Sequence, residues 1–153
     1  MNTTMNDGLL IRTATDADLA GILTLYAQPD LDDGAVLSAG DAERIFARFA
    51  LYPDYTLYVA LSDDRIVGSF ALLIMDNLGH LGSPSAIAED VVVAPDCQSM
   101  GIGRCMMAFA RERCAENGCY KLALSSNLKR ERAHEFYESI GFEKHGYSFR
   151  VTT

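Results

Sequence analysis

The sequence predicts an α+β fold, with a mixed, mostly antiparallel sheet of six to seven strands flanked by four helices. Three observations predict this class. Two apolar stretches flank the turn-rich tetrapeptide Ser62-Asp63-Asp64-Arg65, which indicates an antiparallel hairpin. A strand, a helix and a second strand then follow over 85–125, and such a crossover implies a parallel pair. The 153 residues are 49% hydrophobic and 22% charged, which is typical of one globular domain.

The strands are predicted from apolar and β-branched runs between turn signals. They cover 9–13, 55–61, 66–75, 85–93 and 119–125, with two further short strands around Gly146. The helices are predicted from apolar residues three and four positions apart. The first begins after Thr15, a residue type favoured as an N-cap, and ends before Pro29. The others cover 41–51, 101–117 and 131–139.

This order predicts a single domain over 9–153, preceded by a disordered N-terminal end over 1–8. The first residues are polar and lack the basic flank and apolar core of a signal peptide. No apolar run approaches the about 20 residues that a membrane helix needs. We therefore expect no membrane partner and a cytoplasmic location.

The cysteines indicate packed, reduced thiols and no metal. Cys97, Cys105, Cys114 and Cys119 contain no Cys-x-x-Cys pair, and no histidine lies at zinc-finger spacing from them. Free cysteine packs as a small apolar group, and reduced thiols fit a reducing cytoplasm.

The charge is unevenly distributed along the chain. The net charge is −8, but the segment 98–132 carries +4 and the remainder −12. An acidic protein is a poor general nucleic-acid binder, so no nucleic-acid partner is expected. A basic island indicates a local anionic ligand, with solvated helix faces as the alternative.

The segment that follows the long strand and Pro95 has the composition of an anion-binding turn. Its glycines let the backbone approach a ligand closely, and the free amides at the start of the next helix favour anions. A pyrophosphate would meet these amides and Arg104, while a plain structural turn is the alternative. The segment is neither a Walker loop nor a dinucleotide fingerprint, because Gly-Lys-Ser/Thr and the third glycine are missing. Its sequence is Gln98-Ser99-Met100-Gly101-Ile102-Gly103.

A second motif, Ala133-His134-Glu135-Phe136-Tyr137-Glu138-Ser139-Ile140-Gly141-Phe142, follows about 35 residues later, with a strand and Asn127 between the two. In this order, the two motifs resemble the GNAT superfamily of N-acetyltransferases. They cover about a third of the chain, and the element order matches the family fold over nearly all of it. The resemblance implies that acetyl-CoA is the co-substrate. Its acetyl group would pass by direct attack, in a ternary complex, to a primary amine of a small molecule or peptide.

The resemblance also implies where the cofactor binds. Backbone groups of Val91, Val92 and Val93 would pair with the pantetheine arm as an added strand. Asn127 and Phe136 would contact the cofactor, with ordinary core packing as the alternative for Phe136. The amides that would hold the pyrophosphate are those of Gln98, Ser99, Met100, Gly101, Ile102, Gly103 and Arg104.

Tyr137 matches the position of the family's general acid. A neutral phenol with a pKa of about 10 keeps its proton at neutral pH and can protonate the departing thiolate. The alternative role is a packed tyrosine that bonds to the cofactor.

The attacking amine needs a base, because an alkylammonium with a pKa of about 10 is not a nucleophile. We predict Glu89, with Asp90, a water chain or a histidine as alternatives. Adjacent strand residues point in opposite directions, so Glu89 and Asp90 are expected on opposite faces of the sheet. His80, His134 and His145 are each expected to be surface or structural residues.

The acceptor is left open by the sequence. The run 89–93 and the strand 119–124 look like the glucosamine 6-phosphate N-acetyltransferase branch, although its usual Arg-Gly-Lys-type residues are replaced by Gln98-Ser99-Met100. The acidic remainder suits a polyamine, an aminoglycoside or a peptide amine. A non-catalytic acyl-CoA-binding module and a phosphate-loop nucleotide binder are the alternatives from other classes. A homodimer is expected because strands after the last helix often pair between subunits in this superfamily.

Overall fold

The structure is a computed structural model that describes residues 3–5 and 8–153, with the side chains of 3–5 left out. The chain divides into two compact units, Met1–Ala123 and Leu124–Thr153. The first unit contains a sheet and three helices, and the second contains one helix and the C-terminal tail.

The sheet has six strands that neighbour each other in chain order. The pair formed by the last two is parallel and all others are antiparallel. This confirms the predicted mixed, mostly antiparallel sheet. The strands are β1 (Thr3–Met5), β2 (Leu9–Thr13), β3 (Tyr55–Ser62), β4 (Arg65–Met75), β5 (Ser85–Val93) and β6 (Leu122–Ala123).

Four helices accompany the strands, as predicted. They are α1 (Leu19–Tyr26), α2 (Ala39–Phe49), α3 (Ile102–Glu116) and α4 (Glu131–Ser139). On one face of the sheet, Leu57 and Val59 of β3 form a buried cluster with Leu19 and Ile22 of α1 and with Ala42 of α2. Alternate side chains of a strand point to opposite faces, so the residues between these serve the other side.

The opposite face of the sheet packs against α3. Tyr58 of β3 stacks on Phe70 of β4 with ring centroids 5.1 Å apart. Phe109 of α3 meets Tyr58 edge-on at 5.1 Å, and Phe70 and Phe109 are fully buried. Edge-to-face aromatic packing of this kind adds to the stabilisation from burial. The sheet therefore lies between α1 and α2 on one side and α3 on the other.

The two ends of the chain differ from expectation. Within the predicted disordered end, Thr3–Met5 forms β1 and pairs with Leu9–Ile11 of β2; residues 1, 2, 6 and 7 lie outside the described part. This pairing uses backbone groups, so the polar side chains gave no sign of it. The predicted strands around Gly146 are absent, since 143–153 contains no helix or strand. The predicted single domain over 9–153 stays a prediction, because the chain divides into two compact units.

None of the helices in the described ranges is long and apolar enough to span a bilayer.

Candidate functional site

The second half of β5 contains a β-bulge. Ser69 of β4 pairs with Val92, and Ala71 pairs with Glu89. One residue of β4 therefore faces two residues of β5, Asp90 and Val91. Asp90 has a φ of 51°, in the left-handed region that bulges use. The extra residue shifts the alternation of side chains along the rest of β5.

The bulge overturns the expectation that Glu89 and Asp90 face opposite sides. Glu89 pairs with Ala71, which belongs to the cluster beneath α1 and α2, and directly paired residues share a face. Tyr55 stacks on Phe49 of α2 at 4.3 Å. Burial, then Asp90 and Glu89, raise the pKa of Tyr55. Both carboxylates therefore lie on the α1–α2 face.

These two carboxylates hold their protons more tightly than free ones. Burial, followed by the negative charge of Asp32, raises the pKa of Asp90. Burial, followed by Asp90, raises the pKa of Glu89. Both residues nevertheless expose a large part of their surface. A carboxylate that water can reach, but that is less hydrated than a free one, has the environment of a group at the mouth of a cleft. A base needs such a place because it must both accept and release a proton.

Tyr26 and Asp32 join this face, and sequence reasoning missed both. Burial, then the charge of Asp90, raises the pKa of Tyr26, while a hydrogen bond with Ser69 lowers it. Tyr26 lies within the first predicted helix without a polar motif around it, and Asp32 belongs to a loop without periodicity. No sequence signal links either residue to Asp90.

One edge of β5 is open beside these groups. β6 pairs only with Ala86 and Ile87. Beyond the bulge, the Ala94 amide donates to the Val67 carbonyl at 2.8 Å, toward β4. Since the backbone groups of successive residues point to alternate sides, the Val93 carbonyl and the groups of Val91 point away from β4. They face the edge that β6 leaves uncovered.

Two side-chain amides occupy part of this edge. The Gln28 Nε2 donates to the Val93 carbonyl oxygen at 3.0 Å, and the Gln98 Nε2 approaches the same oxygen at 3.4 Å. Gln98 was predicted as part of the anion-binding turn, whereas Gln28 was not predicted as a site residue. The open edge offers backbone donors and acceptors to an extended, amide-containing ligand.

The turn into α3 exposes backbone amides. Ser99 and Gly101 have φ values of 65° and 84°. No atom lies within 4 Å of a Cβ built on Gly101, and this cap residue gives the helix no side-chain hydrogen bond. Residues with a left-handed backbone conformation bring the backbone amides of a turn together in a concavity that binds anions. The dipole of α3 strengthens this binding. Ile102 is buried and anchors the turn. The residues present therefore fit a pyrophosphate.

An ion pair fixes the segment that leads into this turn. The Arg65 guanidinium binds both carboxylate oxygens of Asp96, at 2.7 and 2.8 Å. Arg65 begins β4, so the pair connects the β3–β4 turn to the residues after Pro95. Asp96 keeps a lowered pKa, chiefly through its hydrogen bond with Arg65. This contact could not be predicted from the sequence, because it joins positions 31 apart.

In the second unit, Tyr137 lies on α4 and is half-buried. Its ring contacts those of Phe136 at 5.2 Å and Phe142 at 5.6 Å. Burial raises the pKa of Tyr137, which outweighs the lowering by Arg130. The phenol is therefore protonated at neutral pH, as a general acid requires.

Asn127 shapes the turn before α4. Its Oδ1 accepts from the Lys129 amide at 3.0 Å, and its carbonyl oxygen lies 2.8 Å from the His134 Nε2. His134 thus has a structural partner. In the first unit, His80 stacks on Tyr120 at 4.0 Å. These contacts agree with the expectation that both histidines are structural or surface residues.

The predicted site residues are divided between the two units. The first unit holds Glu89, the valines of β5 and the turn with Arg104, and the second holds Asn127, Phe136 and Tyr137. Across the parts of the chain that the structure describes, no three metal-binding side chains cluster.

A family model described as an acetyltransferase (GNAT) domain matches residues 53–144, well over half of the chain. This match includes β5, the turn into α3, and α4. The chain belongs to the GNAT acetyltransferase family. Membership of this family agrees with the observed fold.

Three comparisons illustrate the relationship of this GNAT chain to known proteins. It is 36% identical over 87 residues to a glucosamine 6-phosphate N-acetyltransferase of Trypanosoma brucei brucei, covering 57% of each chain. It is 32% identical over 104 residues to an aminoalkylphosphonate N-acetyltransferase of Salmonella typhimurium, covering 68% of this chain and 67% of that protein. A putative acetyltransferase structure from Agrobacterium tumefaciens is 31% identical, with a TM-score of 0.85 over 94% of this chain and 99% of that one. The alignment with the trypanosome enzyme thus spans little more than half of its length.

Proposed function

We propose that this GNAT protein transfers the acetyl group of acetyl-CoA to a primary amine of a small molecule or peptide, by direct attack in a ternary complex. The observation that carries the proposal is the open edge of β5 next to the exposed amides at the start of α3. An extended chain of amides ending in a pyrophosphate matches this sequence of donors and acceptors.

The cofactor contacts follow from this edge. Val91 and Val93 would pair with the pantetheine amides, and the buried side chain of Val92 would hold β5 in place. Asn127 and Phe136 are further proposed to contact the cofactor. The pyrophosphate would bind the amides of Gln98, Ser99, Met100, Gly101, Ile102, Gly103 and Arg104, with the Arg104 guanidinium adding positive charge.

The base is proposed to be Glu89. The acceptor ammonium gives a proton to this carboxylate, and the freed amine then attacks the thioester carbon. Amides at the open edge of β5 would stabilise the negative charge on the thioester oxygen. Asp90 is the alternative base, because the bulge brings it to the same face. A raised pKa suits either carboxylate for proton transfer near neutral pH.

The acid is proposed to be Tyr137. When the carbon–sulfur bond breaks, the thiolate needs a proton, which the phenol supplies. Burial keeps the phenol protonated until that moment. The tyrosinate then takes up the second proton of the former ammonium nitrogen, through water, which leaves a neutral amide, and Glu89 releases its own proton to solvent.

The acceptor class is narrowed by charge. The α1–α2 face carries Asp32, Glu89, Asp90 and two phenols, which favours a cationic amine such as a polyamine, an aminoglycoside or a peptide amine. Glucosamine 6-phosphate is the second candidate, because the trypanosome relative is named for it. Release of the CoA thiol from acetyl-CoA, measured with each of these amines, tests the proposal. Binding of acetyl-CoA without thiol release in the presence of any of the amines would favour a non-catalytic acyl-CoA-binding module.

We further propose a cytoplasmic homodimer. Tyr147, Phe149 and Val151 alternate along the tail with 83–90% of their surface exposed, as in a strand that lacks a neighbour. The four cysteines are free, and Cys97 and Cys114 are buried, which suits a reducing compartment. Sedimentation equilibrium would measure the oligomeric state, and a monomer at micromolar concentration would contradict the dimer.

A further inference from the structure

Gln28 makes a contact that the proposed reaction leaves unexplained. It follows α1 directly, and its Nε2 donates to the Val93 carbonyl oxygen at 3.0 Å, across 65 positions of sequence. That oxygen faces the open edge of β5, away from the Ala94–Val67 bond to β4. The pantetheine arm would need the same acceptor. Gln28 therefore occupies part of the surface that acetyl-CoA would use.

The segment that carries Gln28 is folded on itself. The Gln28 carbonyl accepts from the amides of Leu31 and Asp33, at 3.0 and 3.1 Å. The Asp32 amide donates to the Tyr26 carbonyl at 2.9 Å. These bonds make 27–35 a compact turn, so a movement of Gln28 is transmitted to Asp32. The negative charge of Asp32 raises the pKa of Asp90, so this turn lies within electrostatic reach of the α1–α2 face.

We propose that Gln28 is a positioning residue that couples acetyl-CoA binding to opening of the acceptor face. A pantetheine amide replaces the Gln28 carboxamide on the Val93 oxygen, and the released turn 27–35 moves away from Asp90. The amine then reaches the carboxylates. This inference rests on the proposed function and predicts that acetyl-CoA binds before the amine.

If Gln28 competes with acetyl-CoA for the Val93 oxygen, removing its carboxamide changes the affinity for acetyl-CoA in a characteristic direction. Removing an ordinary structural hydrogen bond leaves ligand affinity unchanged or weakens it. Removing a competitor tightens it instead. A protein hydrogen bond contributes about 0.5–1.5 kcal/mol, which corresponds to roughly two- to tenfold in a dissociation constant. Variants without the Gln28 carboxamide are therefore expected to bind acetyl-CoA two- to tenfold more tightly.

Two variants test this by calorimetric titration with acetyl-CoA. Gln28→Met keeps the length of the side chain without a hydrogen-bond donor, and Gln28→Ala removes the side chain beyond Cβ. Thr24→Ala is the matched control, because the exposed Thr24 hydroxyl bonds only within α1, to the Ala20 carbonyl. The proposal predicts tighter binding in both Gln28 variants and unchanged affinity in the control. Unchanged or weaker binding in the Gln28 variants would overturn it.

Hydrogen exchange on the wild-type protein gives a second readout that needs no variant. Added acetyl-CoA should speed amide exchange in 27–35, although a ligand ordinarily slows it. Unchanged or slower exchange there would contradict the coupling. A wild-type protein that fails to bind acetyl-CoA would instead remove the proposed function itself. If the wild type acetylates amines normally but the Gln28 variants bind acetyl-CoA no more tightly, only the proposed role of Gln28 is contradicted.

Discussion

Tyr137 has an environment suited to one protonation state. Burial against Phe136 and Phe142 keeps its phenol neutral, so the proton is available when the thiolate departs. We expect Tyr137→Phe to lower kcat by about 100-fold, the effect of losing a general acid, and to leave the dissociation constant of acetyl-CoA nearly unchanged. Tyr120→Phe is the control, because Tyr120 is exposed and phenylalanine keeps the ring that stacks on His80. Turnover by Tyr137→Phe at the wild-type rate would refute the acid assignment.

The proposal that Glu89 is the base, with Asp90 beside it, predicts the acid side of the pH profile. A base works only when deprotonated, so kcat/KM should fall as the pH drops through its pKa. Because that pKa is raised, the fall should begin above the range of an ordinary carboxylic acid. Glu89→Gln should remove this limb and most of the activity, whereas Asp90→Asn should keep the limb and shift it to lower pH. The reverse pattern in the two variants would identify Asp90 as the base.

Individual residues show where sequence reasoning succeeds and where it stops. The anion-binding turn could be predicted, because Gly101 and its neighbours determine the local backbone. The shared face of Glu89 and Asp90 could not, since one inserted residue in β5 shifts the alternation and no residue type announces it. Gln28 and Asp32 were missed because their contacts join a loop to a distant strand.

Among the elements, the start of α3 depends on a glycine. Gly101 has a φ of 84°, which a β-branched residue rarely adopts, and its surroundings are open. Gly101→Val should therefore abolish the rise in melting temperature that acetyl-CoA gives, by distorting the turn. Gly146→Val, in the tail, also enters open space and is the matched control. Full thermal protection of Gly101→Val by acetyl-CoA would show that the turn does not hold the cofactor.

The junction of β2 and α1 contains a buried ion pair. The Asp18 carboxylate accepts from Arg12 at 2.7 and 3.0 Å and from the Thr15 amide at 2.7 Å, with 6% of the residue exposed. Breaking such a pair leaves the positive charge of Arg12 without its partner. Asp18→Asn should lower the free energy of unfolding by about 3 kcal/mol at pH 7, as measured by urea denaturation.

The pH dependence of that loss has a definite sign. The hydrogen bond with Arg12 lowers the pKa of folded Asp18. Its stabilisation is therefore complete above the unfolded pKa of about 4 and disappears as the pH falls through the folded value. The stabilities of wild type and Asp18→Asn should converge as the pH falls below about 4. A constant difference down to pH 2 would contradict this account.

The elements themselves were largely predictable. Apolar runs located β3, β4 and β5, each of which contains buried residues, and apolar residues at helical spacing located the four helices. The C-terminal strands were not realised, since Tyr147 and Phe149 have the pattern of a strand without a pairing neighbour in the tail. In contrast, β1 forms although its residues are mostly polar, because the backbone groups of β2 are available to pair with it.

For the whole molecule, the uneven charge fits two different ligands. The segment 98–132 carries +4 and the remainder of the chain carries −12, so an anionic cofactor and a cationic amine would each meet a favourable field. The affinity for acetyl-CoA should fall as salt is raised from low to physiological concentration, through screening of the pyrophosphate contacts. Titrations at increasing sodium chloride would measure this. An affinity independent of salt would speak against the basic segment as the phosphate site.

One extended surface, formed by the open edge of β5 and the turn into α3, is proposed to bind acetyl-CoA. Hydrogen exchange of the wild-type protein with and without acetyl-CoA measures the protection of this surface. Amide exchange at Val91, Val93 and 98–104 is expected to slow when acetyl-CoA is added. Binding that leaves these amides exchanging at the rate of the free protein would contradict it.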